Sequence, residues 1–121
     1  MIEFEKVLGA FSHLADLTEA QAREESALVD LAIGEVAVML RPGACTPDDH
    51  DRICHACAAF AYYKHALVSA MKAVDFKAGD IAMSPPGAAL LTLARQLRDD
   101  AVGSIADLVD ADGFAFVQVA P

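Results

Sequence analysis

His50, Cys54 and Cys57 stand at i, i+4 and i+7, with Cys45 and His55 close by in sequence. On a helix that spacing puts the first three on one face. Imidazole and thiolate are ligands that zinc favours, and a histidine, two cysteines and a fourth donor could complete a tetrahedral site. The pattern stops short of a structural zinc signature, which gathers ligands from two knuckles or from a knuckle and a helix; here one cysteine pair sits inside a single helical pattern. Cys57 also falls on an apolar stripe beside Phe60, where a free thiol acts as a small hydrophobe. A redox Cys-x-x-Cys needs its reactive thiol at a helix N-terminus after a strand, a setting this pair lacks. The order Cys-His-Ala-Cys-Ala departs from the haem-attachment run as well. Cys45, His50, Cys54 and Cys57 are thus the metal candidates, buried thiols are the favoured reading, and no cofactor is expected.

The remaining polar residues read as structure. Asp48, Asp49 and Asp51 occupy a first helical turn, where acids complement the positive end of the dipole. Asp110-Ala111-Asp112-Gly113 resembles a fragment of a calcium loop, but no glutamate follows at the required distance, so a turn is expected. Ser12, Ser26, Ser69 and Ser104 lie within helical patterns without a strand-to-helix elbow, and the chain has no Gly-rich phosphate loop. His13 and His65 are isolated and are expected at surface or satisfied positions. No catalytic residue is assigned, and the chain is not expected to be an enzyme.

The elements that carry these residues are helical. Phe4, Val7, Leu8, Phe11 and Leu14 recur at helical spacing and predict a first helix over 4–14. Thr18-Glu19-Ala20-Gln21 has the form of a capping box and predicts a second helix over 19–41, stopped by Arg41-Pro42-Gly43. Thr46-Pro47-Asp48-Asp49 opens a third over 47–74, with Ile53, Cys57, Phe60, Tyr63, Leu67, Met71 and Val74 as its stripe. Ser84-Pro85-Pro86-Gly87 opens a fourth over 85–110, carrying Leu90, Leu93, Leu97, Ala101, Ile105 and Leu108. The expected fold is all-α, a four-helix bundle-like single domain over 1–121, with Phe60, Leu67, Leu93, Leu97 and Ile105 in one core. Short strand-like segments are expected at about 76–83 and 114–119, able to pair with each other or with a neighbouring subunit. Tyr62 and Tyr63 fall on adjacent faces, one free to pack inward while the other looks elsewhere.

Composition sets the class of partner. The hydrophobic fraction is 55% and the net charge −9 from 18 acidic and 9 basic residues, with a mean hydropathy of +0.36. Every apolar run is cut by charge or proline before the roughly 18 residues a membrane span needs. The start, Met1-Ile2-Glu3-Phe4-Glu5, does not read as a secretory signal, and three cysteines argue for a reducing compartment over a disulfide framework. Scattered basic residues exclude a general duplex-DNA binder. The apolar excess points instead to burial against copies of the chain or a partner.

A helical hairpin, a helix centred on Ala61-Tyr62-Tyr63, the segment Gly79-Asp80-Ile81-Ala82-Met83, a Ser84-initiated helix and an extended end together resemble the head-tail connector (adaptor) proteins of tailed bacteriophages. The likeness spans most of the chain and rests on short motifs. It implies a small, non-enzymatic helical subunit that forms a ring homo-oligomer beneath the portal of a phage or prophage particle, in the virion or in host cytoplasm before assembly. The implied partners are copies of itself, the portal protein and tail-side connector proteins, with no sequence-specific nucleic acid and no membrane. Lys77, Gly79, Asp80 and Ile81 would correspond to the family's inter-helical loop or strand, and Phe114 and Phe116 to a portal- or neighbour-contacting tail. The chain departs from many members in its very short segment after the last helix and in its three cysteines. A Cys/His metal- or thiol-dependent regulator and a general helical interaction module are the alternatives.

Overall fold

The computed structural model describes residues 2–72, 75–77, 80–82 and 85–110. Helix α1 spans Phe4–Ala15 and turns Val7, Leu8 and Phe11 inward. It stops in a Schellman arrangement without glycine: Asp16 takes φ 55°, ψ 49°, and the Leu17 amide donates back to the Ser12 carbonyl at 2.9 Å. A short aspartate tolerates the left-handed well better than most residues do.

The capping box forms as its spacing predicts. The Gln21 amide donates to Thr18 Oγ1 at 3.2 Å, and the Thr18 amide donates to Gln21 Oε1 at 2.9 Å. The expected helix over 19–41 is nonetheless two, α2 over Glu19–Glu24 and α3 over Ser26–Met39. Ser26 Oγ donates to the Arg23 carbonyl at 2.5 Å, and the Glu25 amide bonds Ala22, three residues back, at φ −99°, ψ 19°. Such side-chain competition for a helical carbonyl bends the axis. The bend lets Arg23 on α2 reach Glu5 on α1 while α3 leaves in another direction.

Helix α4, His50–Lys72, starts later than the expected 47. Thr46 donates its hydroxyl to the Asp49 carboxylate at 3.1 Å, and the Asp49 amide bonds the Thr46 carbonyl, so 47–49 forms a tight turn ahead of the helix. The expected end at 74 falls outside the described residues. Ala56, Ala58, Ala59, Ala61, Ala66 and Ala70 are all buried on α4. Small side chains on several faces let α1, α3 and helix α5, Pro85–Ser104, all pack directly on it.

Between α4 and α5 lies an antiparallel hairpin, β1 over Asp75–Lys77 and β2 over Asp80–Ala82, with Phe76 opposite Ile81 and Lys77 opposite Asp80. The strand-like stretch expected at 76–83 is thus two very short strands paired with each other; the one expected at 114–119 lies outside the described residues. The fold is all-α apart from this minor hairpin.

Helix α5 ends at Ser104 rather than continuing to 110. A 3-10 turn over Ala106–Leu108 follows, and Val109 then pairs as an extended bridge with Leu40 at the end of α3. The Arg41 amide donates to Leu108 O at 3.0 Å and the Asp110 amide to Met39 O at 2.9 Å. Leu108 and Ile105 are buried at this junction.

Core membership needs one correction. Phe60 and Ile105 are buried and Leu67 and Leu97 half-buried, but Leu93 is 51% exposed. The buried line on α5 passes through Ala94, because the alanine face of α4 admits close approach there. Leu93, the larger residue, is left on the shoulder.

Candidate functional site

Cys54 and Cys57 are both fully buried on the first turns of α4, while Cys45, on the loop before it, is half-buried; all three are free thiols. Cys54 Sγ lies 3.7 Å from His50 Nε2. Burial pushes the Cys54 thiol up and carries that of Cys57 to about 12, the neighbouring sulfurs of Cys54 and Cys45 adding to the shift. Electrophiles require the thiolate, so this environment opposes attack on either sulfur. Among the described residues no three His, Cys, Asp or Glu groups converge on a common metal position. Cys54 and Cys57 both belong to the buried core.

The acids at the start of α4 have structural partners. Arg52 sets one nitrogen against Asp49 Oδ1 at 2.5 Å and spans both Asp107 oxygens at 3.0 and 3.2 Å, with a further bond to the Ser104 carbonyl at 2.9 Å. The guanidinium holds Asp49 and Asp107 below the ordinary carboxylate range, and the ammonium of Lys6 does the same for Asp51. These exposed pairs fasten the end of α5 and the start of α1 to α4. His65 is half-buried, edge-on to the Phe11 ring at 5.7 Å and 3.8 Å from Glu25. Tyr62 is buried, whereas Tyr63 is half-exposed beneath the Arg98 guanidinium, 4.3 Å from its ring centre.

Of the expected interaction residues, Lys77 lies in β1 and Asp80 and Ile81 in β2, so the hairpin brings these three together. Gly79, Phe114 and Phe116 lie outside the described residues. No described helix is long and apolar enough to cross a membrane.

Two features escaped the sequence reading. One is a groove of about 630 Å³ between α1, α4 and α5, floored by Gly9, Ala10, Ala58 and Ala59 and rimmed by His13 and His55. Its signal was the small residues facing one another on α1 and α4, which leave space unfilled. The other is the outward side of α3. Val29, Ala32, Val36 and Met39 face the core, yet Leu31 is 58% and Val38 83% exposed on the opposite side, with Ala27 and Gly34 exposed beside them. Ala27, Leu31, Gly34 and Val38, at spacings of four, three and four, form this outward stripe, opposite the one through Val29 and Val36.

Compared with protein-family models, with curated proteins and with solved structures, the chain matches none of them.

Proposed function

We propose that this chain is a non-enzymatic structural subunit of a protein assembly, and in particular a ring-forming head-tail connector subunit of a tailed phage or prophage, joining portal to tail. The observation that carries the reading is the hairpin between the two longest helices, where the resemblance puts the family's inter-helical segment. A two-stranded hairpin is marginal alone in water, and its edges carry backbone groups that a further strand can pair. A partner strand added to such an edge both stabilises the hairpin and fixes the partner's register. The apolar excess of the chain and its net charge of −9 suit a subunit packed against copies of itself around DNA it must not grip. The Cys/His regulator reading loses support from the burial of Cys54 and Cys57.

The test is co-assembly. Purified chain mixed with the portal protein of the same genome should form rings on the portal, seen by negative-stain electron microscopy. The double exchange Lys77→Glu with Asp80→Lys keeps the net charge of the facing pair and should leave the helical circular dichroism intact while abolishing those rings. Failure of the native chain to bind portal would sink the connector reading. Unimpaired rings from the exchange variant would remove the hairpin as the docking element.

A further inference from the structure

The hairpin and the last described residue stand at opposite ends of the α4/α5 pair. The hairpin joins the end of α4 to the start of α5. Asp110 lies at the other end, where Arg52 near the start of α4 bonds the Ser104 carbonyl and Asp107, and where the Asp110 amide donates to Met39 O. The separation is about the length of α5, 20 residues or about 30 Å. Among the described residues each strand pairs with the other alone, which leaves an outer backbone edge on both. The chain's other strand-prone stretch is Phe114-Ala115-Phe116-Val117-Gln118-Val119, outside the described residues and rich in phenylalanine and valine without proline or glycine. Its reach is fixed by the covalent chain. Phe114 is four residues beyond Asp110 and Phe116 six, so even fully extended they travel at most about 14 and about 22 Å from it.

We propose that residues 114–119 of one copy add to the edge of the β1/β2 hairpin of a second copy. Pairing within one chain fails on length, because a strand beginning at Phe114 stops about half the gap short of its own hairpin. A neighbour's hairpin carries no such limit, since the second copy can sit wherever the segment ends. The addition satisfies backbone N–H and C=O groups on the hairpin edge and turns a marginal two-stranded unit into a three-stranded one. The contact is head-to-tail, the end of one copy that holds Asp110 against the hairpin end of the next, so each copy gives a strand and receives one. Repeated, it closes into a ring when its rotation permits. The inference rests on the reading of the hairpin as docking element and names the strand that docks there; it needs no portal.

The test uses the full chain alone, in a Cys45→Ser background so that the remaining native thiols are the buried Cys54 and Cys57. With Ile81→Cys and Phe116→Cys in the same molecule, a short bismaleimide should give a ladder of covalent dimers, trimers and higher species on a denaturing gel. Mixing the two single variants should give a dimer and nothing larger. Val117→Pro with Val119→Pro removes two amide donors from the segment and should cut the ladder roughly tenfold, whereas Val117→Thr with Val119→Thr keeps both donors and should leave it intact. Helical circular dichroism should be the same in all of them. A cross-link that closes within one chain, no cross-link at all, or a ladder that survives the proline pair overturns the proposal. A ladder from a chain that fails to bind portal would sink the connector reading and leave the strand addition standing; rings on portal without the ladder would do the reverse.

Discussion

The start of α4 and the outer side of α3 mislead in opposite directions. At the start of α4, histidine and cysteine at ligand-like spacing look like chemistry, but two of the thiols are buried, and burial shifts both toward the neutral form. On α3, valine, leucine, alanine and glycine look like core, but half of them face outward. Residue type states what a side chain can do; burial decides which of those things it does. A thiol without water is a hydrophobe, and a hydrophobe left in water is a contact surface.

The difference is broken most directly by truncation. Ile53→Ala, one turn from His50 and fully buried, is expected to cost about 2–5 kcal/mol in urea unfolding, whereas Leu31→Ala should change stability by about 0.5 kcal/mol or less. Equal losses at the two positions would mean that the outer face of α3 is core after all.

A smaller effect sharpens the thiol side. Cys57→Ser places a hydroxyl where the thiol is fully buried, which should cost about 1–3 kcal/mol, while Cys45→Ser on the half-buried loop should cost about 0.5 kcal/mol or less. A thiol-reactive dye at pH 8 should label Cys45 first, with Cys54 and Cys57 reacting only on unfolding. Rapid labelling of Cys57 in the native state would return the cluster to the list of reactive sites.

The smallest effect is electrostatic. Asp49 and Asp107 are held below the usual carboxylate range by Arg52, so their pairing stabilises the fold above their unfolded pKa of about 4 and is lost as pH falls through the lower folded values. Melting temperature should therefore drop below about pH 4, and Arg52→Met should make that drop shallower without removing it, since Asp51 keeps its pair with Lys6. Because these groups are exposed or half-exposed, added salt should also blunt the drop. An unchanged acid limb in the Arg52 variant would show that the clamp contributes nothing.

Local signals were legible wherever the physics is local. The capping box at Thr18 and Gln21, the stop at Pro42-Gly43 and the inward stripe of α1 through Val7 and Phe11 all follow from neighbours within one or two turns. The bend at Glu25 was not, because Ser26 suits a helix by spacing and only its bond to the Arg23 carbonyl turns the axis. The late start of α4 turned on a similar choice, Thr46 bonding the Asp49 side chain at 3.1 Å. The pairing of Val109 with Leu40 joins positions far apart in the chain, and a helical stripe through Leu108 gave no sign of it.

By itself, the sequence determined an all-α fold with the helix-starting and helix-stopping residues in place, a strand-prone insert before the last helix, and an apolar excess larger than a small core absorbs. Periodicity and capping depend on covalent neighbours and so are written in order along the chain. Only the tertiary structure decided that Ala94 packs where Leu93 was expected and that α3 presents a second apolar face outward. Those outcomes depend on how closely helices distant in sequence approach one another. The alanines of α4 set that distance, and no stretch of chain carries it alone.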